Sequence, residues 1–157
     1  MKKIFGMLVA LTLVLVTGCT KVGNYKEGTY TGSVEYESYG SKYVTTAVVY
    51  VDKDGLIKSC FIDSTYLSTD GVITTKKTLG DAYGMKETSA NIGVIEGGAE
   101  WYEQVEVIEN KVVEEQGIDW VKWADEEKTK LDAVSGVTIT ADTYIGAVQK
   151  ALSQAKK

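Results

Sequence analysis

The sequence predicts a single α+β domain, an antiparallel sheet meander with helices packed on one of its faces. Two observations carry this prediction. Residues 28–66 contain short runs of β-branched residues with alternating polarity, a pattern typical of strands. After residue 66 the apolar residues recur with the period of a helix, and strands followed by helices favour α+β. The chain contains no proline and no low-complexity linker, which favours one domain.

Three strands are predicted, at residues 28–37, 43–51 and 56–66. The second and third are joined by Asp52-Lys53-Asp54-Gly55, and an Asp-Gly pair favours the positive φ of a tight hairpin turn. We therefore expect the three strands to pair as neighbours in chain order. Cys60 lies within the third run, where a lone cysteine is most simply a small buried apolar residue.

The second half of the chain is predicted to be helical at two strong segments. The first is residues 100–115, and the second is residues 141–156. Each has an apolar face at helical spacing: Trp101, Val105, Ile108 and Val112 in the first, and Tyr144, Ile145, Val148, Leu152 and Ala155 in the second. Weaker patterns predict a short helix at residues 74–83, a glycine-rich loop at 90–98 and a helical turn within 119–130.

The first residues have the pattern of an export signal. A basic start is followed by an apolar run over residues 4–16, too short to span a membrane. The run ends in Thr17-Gly18-Cys19, which resembles a lipobox, the cleavage site of bacterial lipoproteins. This resemblance implies a signal peptide at residues 1–18 and a lipidated Cys19. The polar residues that follow predict a tether at residues 19–27, and the strand pattern from residue 28 predicts a folded domain at residues 28–157. The alternative is a plain secretory signal with a chance cysteine.

The charge and composition exclude several functions. The chain has a net charge of −5 with no arginine and no histidine, so we expect no nucleic-acid binding. Without histidine there is no Ser-His-Asp triad, no Cys-His pair and no histidine-ligated zinc. No segment has the alternating acidic ligands of a calcium loop, so no metal site and no catalytic residue are predicted. A cofactor would have to supply any redox chemistry.

The turn before the last helix combines an acid, a glycine and hydroxyl residues in the sequence DAVSGVTIT at residues 132–140. Thr140 is predicted to cap the last helix, because a threonine hydroxyl at that place can accept a backbone N–H. Capping needs only one hydroxyl, however, and leaves four residues unexplained: Asp132, Ser135, Gly136 and Thr138. One alternative is that the whole segment is a hydroxyl-rich capping turn.

Residues 132–138, DAVSGVT, resemble the flavinylation motif of FMN-binding domains, in which an acid and two variable residues precede Ser or Thr, Gly, usually Ala, and Thr or Ser. Val137 departs from the usual alanine. The resemblance extends to GTYTG at residues 28–32. It also includes KKTLGDAYGM at 76–85 and EWYEQ at 100–104, which are similar to segments of the lipoprotein branch that serves extracellular electron transfer.

This resemblance implies that a Mg²⁺-dependent transferase uses FAD to link FMN through its phosphate to the hydroxyl of Thr138. Asp132 would help to hold Mg²⁺ or the threonine proton, and Gly136 would let the backbone present the hydroxyl. The N–H groups from Thr140 onward would hydrogen-bond the phosphodiester. For the flavin ring, the family-like segments supply Gly84, Met85 and Trp101, and composition adds Tyr102, Trp120 and Trp123 as aromatic candidates.

The function expected from these features is that of a membrane-anchored flavoprotein outside the cytoplasmic membrane. It would take electrons from a membrane donor, such as a quinone-linked or NADH dehydrogenase system, and pass them to another flavoprotein or a terminal acceptor. Such a protein is an electron carrier rather than a free-standing enzyme. The lysine-rich, arginine-free composition favours a Gram-positive bacterial source. The alternative function is a non-flavin surface lipoprotein that binds a ligand or a partner.

Overall fold

The computed structural model describes residues 22–132 and 134–157. The expected signal peptide, Cys19 and Ala133 of the motif lie outside the described residues. The sheet has four strands in chain order, each antiparallel to its neighbour. The strands are β1 (Gly28–Ser38), β2 (Ser41–Val51), β3 (Ile57–Leu67) and β4 (Ile73–Thr75). The three predicted strands are thus confirmed as a meander, and β4 is a short addition at its edge.

The two long hairpins follow from their turn residues. Ser38 pairs with Ser41, so Tyr39 and Gly40 form a two-residue turn with φ of 49° and 74°, the positive values that match the twist of paired strands. In the second hairpin, Asp52 Oδ1 accepts the N–H groups of Asp54 and Leu56, and Gly55 has a φ of 80°. This confirms the predicted Asp-Gly turn.

The helices are α1 (Lys76–Leu79), α2 (Lys86–Ile92), α3 (Trp101–Glu114) and α4 (Asp142–Ala155), and a 3₁₀ turn (Gly80–Tyr83) follows α1. Two expectations were wrong. Part of the predicted loop at 90–98 is the end of α2, which stops at Gly93 in a left-handed conformation. Residues 119–130 contain turns and bends but no helix in the part of the chain that the structure describes.

Both long helices pack on the same face of the sheet, as predicted for an α+β domain. α4 lies across β1 and β2, and α3 lies across β3. From Thr45 to Val51, every second residue of β2 is buried beneath them, including Ala47 and Val49. α4 comes so close to β1 that a Cβ atom added to Gly32 would lie 2.1 Å from the carbonyl oxygen of Ala147. The predicted apolar faces of both helices are buried.

Cys60 is buried in β3, as the sequence predicted. Burial raises the pKa of its thiol to about 12, and the nearby negative charge of Glu109 acts in the same direction. A thiol that stays protonated at neutral pH is a poor nucleophile. The structure therefore supports a packing role for Cys60.

The start of α4 differs from the prediction that Thr140 caps it. Ala141 is the N-cap residue, and no side chain of the described residues caps this end. The carbonyl of Ala141 accepts the N–H of Ile145, while its own N–H donates to the carbonyl of Thr129 at 2.8 Å. Ala141 is fully buried, so core packing sets the start of the helix. The side chain of Thr140 is exposed and lies outside the first turn.

Candidate functional site

The turn before α4 presents alternate residues to opposite sides. Val137 and Ile139 are 9% and 5% exposed and belong to the hydrophobic core. Thr138, between them, is half-buried, and Thr140 is exposed. Gly136 precedes this segment with a φ of 85°, a value that few other residues adopt without strain. The two buried apolar side chains therefore anchor the turn, and the less buried side chains of Thr138 and Thr140 alternate with them.

Thr138 is tied to a single residue of α3. Its backbone N–H and its hydroxyl both donate to Oε1 of Gln104, at 2.8 and 3.0 Å. Gln104 is fully buried, and its amide nitrogen donates to the hydroxyl of Ser89 and to the carbonyl of Ala99. With both ends of the amide paired, the oxygen of Gln104 is fixed toward Thr138. The hydroxyl of Thr138 therefore has a defined orientation, with its proton toward Gln104.

Thr138 lines a surface cleft of about 470 Å³ that we call the threonine cleft. Its walls come from the end of β1, from α1 and the segment that follows it, from the first residue of α3 and from the start of α4. The lining combines threonine hydroxyls with aromatic rings: Tyr36, Glu37, Ser38, Lys76, Tyr83, Met85, Trp101, Thr138, Ile139, Thr140, Asp142, Thr143 and Tyr144.

Met85 is held at the threonine cleft by Glu100, the residue directly before α3. The carboxylate of Glu100 accepts the N–H of Met85 at 2.8 Å and the N–H of Lys86 at 3.1 Å. Glu100 is also the N-cap of α3 and forms a reciprocal capping box with Glu103. One buried carboxylate thus joins the Gly84–Met85 turn to the helix that carries Gln104. The family-like segments at 76–85 and 100–104 are therefore adjacent in the fold.

Trp101 contributes the floor of the threonine cleft. It is 1% exposed, and its Nε1 donates to the hydroxyl of Tyr144 at 2.9 Å. The centre of its ring lies 5.6 Å from the ring centre of Tyr144, in an edge-to-face arrangement. The ring centre of Tyr83, which lines the cleft, lies 6.4 Å away. Burial raises the pKa of Tyr83 to about 12, so this phenol remains neutral. Trp101 is consequently a core residue, and Tyr83 offers the more accessible ring.

The cleft contains one basic side chain among the described residues that line it. The ammonium of Lys76 lies 5.2 Å from the ring centre of Tyr83 and 5.1 Å from that of Trp101. Burial lowers the pKa of Lys76 to about 8, although the negative charge of Asp63 acts in the opposite direction. Two carboxylates, Glu37 and Asp142, also line the cleft.

The remaining sequence candidates do not all line this cleft. Asp132 and Ser135 are exposed and do not line it. Gly84 lines a neighbouring cleft that shares Tyr83 and Met85 with the threonine cleft. Three aromatic candidates are elsewhere: Tyr102 donates to Asp81, Trp120 donates to the carbonyl of Gly117, and Trp123 pairs with Leu131. Of the ring candidates, the structure brings only Met85 and Trp101 together with Thr138.

The other side of the same turn faces a second cleft, of about 390 Å³. It is more apolar, and Ile92 and Val94 at its rim are 52% and 68% exposed. Thr138 lines this cleft too. Its full lining is Ile92, Val94, Ala124, Lys130, Leu131, Val137, Thr138 and Ile139. Thr138 thus sits on a ridge between two clefts, and only the threonine cleft offers aromatic rings.

Several residues of the site were not predicted, among them Gln104, Lys76 and the ring of Tyr83. Gln104 had a signal, because it lies three residues after Trp101 and one before Val105, inside the apolar face of α3. A polar residue at such a position is buried and needs a partner. Lys76 had no comparable signal, since the sequence does not distinguish it from Lys77. Lys77 pairs with Glu109 on α3, whereas Lys76 faces the cleft.

Among residues 22–132 and 134–157, no three histidine, cysteine, aspartate or glutamate side chains are grouped so that they could hold a metal ion. No helix in the described part of the chain has the length and apolar character needed to cross a bilayer. Compared with protein-family models, with curated proteins and with solved structures, the chain has no match in any of the three.

Proposed function

We propose that this protein carries FMN covalently on Thr138 and shuttles electrons outside the cytoplasmic membrane, where a lipid on Cys19 anchors it. The observation that carries the proposal is that Thr138, the last residue of the motif-like segment, lines a cleft with aromatic rings and a cation. The cleft volume of about 470 Å³ lies within the range of roughly 300–1,000 Å³ that is usual for small-molecule sites.

The residues of the threonine cleft match what a tethered flavin needs. Thr138 offers the hydroxyl for the ester bond, and Tyr83 and Met85 offer aromatic and polarizable surface for a flat ring. Next to Thr138, the N–H groups at the start of α4 and the hydroxyls of Thr140 and Thr143 can donate to phosphate oxygens. When bound, FMN supplies exchange of one or two electrons, which the side chains cannot provide.

Attachment requires an external enzyme, because no base among the described residues contacts the hydroxyl of Thr138; its partner is the amide oxygen of Gln104. A flavin transferase with Mg²⁺ would break the pyrophosphate bond of FAD. The bond that forms joins Oγ1 of Thr138 to the phosphorus of FMN, AMP leaves, and the hydroxyl proton passes to a base of the transferase. Asp132 and Ser135 are exposed beside the turn, where they can contact that enzyme.

In this function the donor is a membrane system such as a quinone-linked or NADH dehydrogenase, and the acceptor is another flavoprotein or a terminal acceptor. Covalent attachment would prevent loss of FMN, and the lipid would keep the carrier near its donor. The chain acts as a carrier and not as an enzyme with its own substrate. The motif resemblance and the threonine cleft together support this function.

A non-flavin surface lipoprotein that binds a ligand or a partner is the second candidate. One observation favours it: the N–H and the hydroxyl of Thr138 already have a buried acceptor in Gln104. Hydrogen bonds of this kind also occur where a threonine only stabilises a turn. In that case the threonine cleft would bind a ligand that is not covalently attached.

The test is co-expression of the chain with a flavin transferase, followed by a denaturing gel viewed by flavin fluorescence. We expect a fluorescent band for the wild type and for Thr138→Ser, which keeps a hydroxyl. Thr138→Ala should be dark, while Thr31→Ala, an exposed threonine of β1, should fluoresce like the wild type. A dark wild-type band beside an active transferase would favour the second candidate. Fluorescence in Thr138→Ala would place the attachment elsewhere.

A further inference from the structure

Lys76 is a cation that lies over two aromatic rings and forms no ion pair with a carboxylate in the part of the chain that the structure describes. Among the described residues, the lysines that form ion pairs are Lys53, Lys58, Lys77 and Lys111. Lys76 instead places its ammonium over the rings of Tyr83 and Trp101 at about 5 Å. Contacts with ring faces attract a cation, but they replace only part of its lost hydration. The position is therefore one where an anion would be stabilised.

The titration of Lys76 agrees with this geometry. Burial lowers the pKa of its ammonium to about 8, which reflects the cost of keeping the charge in the cleft wall. The negative charge of Asp63 on β3 opposes that shift. An anion that enters the cleft would favour the charged form of Lys76. If the ligand gains negative charge during its reaction, Lys76 would stabilise the more negative form of the ligand most.

Resting on the proposed function, we infer that Lys76 is the counter-charge for the reduced flavin ring and raises the reduction potential of the bound FMN. Reduction adds two electrons and one proton to the ring: the proton binds N5, and the negative charge remains around N1 and the C2 oxygen. The electrons come from the membrane donor, or from dithionite in a titration. Lys76 transfers no atom and acts only through its charge.

The position of Lys76 favours the ring rather than the phosphate as its partner. The phosphate would lie at Thr138, where the start of α4 and the hydroxyls of Thr140 and Thr143 already supply donors. Lys76 belongs to the wall built by α1 and lies on the aromatic surface where a flat ring can stack. A flavin ring bound on that surface would lie close to the ammonium, whose charge acts over several ångströms.

The other charged side chains of the cleft lining are negative, so the positive charge of Lys76 matters for the stability of an anionic ring. Glu37 and Asp142 are the carboxylates in its lining, and both disfavour an anionic ring. Lys76 is the one cation that opposes them among the described lining residues. Its removal would leave a cleft with negative charge only, so the reduced form should lose stability relative to the oxidised form.

The experiment measures the midpoint potential of covalently bound FMN in the full chain, co-expressed with a flavin transferase and titrated with dithionite. For Lys76→Met we expect the equilibrium constant for two-electron reduction to fall at least tenfold, which corresponds to about 30 mV. Lys76→Arg should keep most of the wild-type potential. Lys53→Met is the matched control, because it removes one exposed lysine in the turn after β2, outside the lining of the cleft, and should leave the potential unchanged.

The possible outcomes separate this inference from the proposed function. A wild type without covalent flavin would overturn the proposed function. A loaded Lys76→Met protein with the wild-type potential would overturn the role of Lys76. A lower flavin loading at unchanged potential would also overturn it, because the cation would then serve the phosphate. An equal shift in Lys53→Met would overturn it as well, because the change in potential would then come from the net charge of the protein. If Lys76→Met does not fold, Lys76→Gln provides the same comparison.

Discussion

Gln104 and Thr138 are joined by two hydrogen bonds to one amide oxygen, across 34 residues of sequence. Oε1 of Gln104 accepts both the backbone N–H and the hydroxyl of Thr138, and the nitrogen of the same amide is bound on its other side. Because the hydroxyl donates its proton to Gln104, its lone pairs are free to face elsewhere. The pair therefore fixes the turn and orients the hydroxyl at once.

The first prediction is that Gln104→Met weakens both properties. Methionine has a similar length but no strong acceptor, so two partly buried donors of Thr138 lose their partner. We expect a loss of about 1–3 kcal/mol in the free energy of unfolding by urea. Flavin transfer to Thr138 should also be slower, measured as the initial rate of gel fluorescence. Gln149→Met, at an exposed site of α4, is the control. Wild-type stability in Gln104→Met would show that the hydrogen bonds contribute nothing.

The second prediction concerns Val137, the residue that departs from the usual alanine of the motif. Its side chain is 9% exposed and packs in the core, so its bulk is accommodated inside the domain. Val137→Ala should cost about 1–3 kcal/mol in stability, from lost burial and a small cavity. The flavin loading of the folded protein should remain the same. A clear rise in loading would mean instead that the transferase contacts residue 137 directly.

The third prediction concerns the close contact of α4 with β1 at Gly32. An added Cβ would meet the carbonyl of Ala147 at 2.1 Å and the N–H nitrogen of Ala151 at 2.5 Å. Gly32→Ala must therefore displace α4 from the sheet, and we expect at least about 2–3 kcal/mol of destabilisation. Gly40→Ala is the control, because that position is open and costs only about 1–2 kcal/mol for its left-handed φ. Equal losses in urea unfolding would contradict the close packing.

The sequence predicted those parts of the fold that depend on periodicity. In β2 buried and exposed residues alternate, and in α3 apolar residues recur on one face, because each element buries one side. Such a pattern can be recognised from the residues of the element alone. The start of α4 depends instead on the packing of Ala141, so the capping preference of Thr140 did not decide it. Lys76 and Lys77 are adjacent in sequence but face different partners. Only the tertiary fold separates them, and the same holds for the pairing of Gln104 with Thr138.

The last prediction concerns the pH dependence of stability that arises from Glu109. This carboxylate is 7% exposed and accepts hydrogen bonds from the ammonium of Lys77 and the N–H of Ile62. Burial raises the pKa of Glu109 above its ordinary value of 4.5, although both partners act to lower it. Between the ordinary and the raised pKa, the folded state binds more protons than the unfolded state. This group therefore makes the free energy of unfolding fall as the pH rises from 4.5.

Two variants isolate this effect in urea unfolding measured between pH 4.5 and 8. Glu109→Gln keeps an acceptor for the N–H of Ile62 but cannot titrate, so its stability should fall less with rising pH than that of the wild type. Lys77→Met removes the nearby positive charge, so the pKa of Glu109 should rise further and the loss should be larger and reach higher pH. Identical pH profiles for the wild type and Glu109→Gln would show that Glu109 has the same pKa in the folded and unfolded chain.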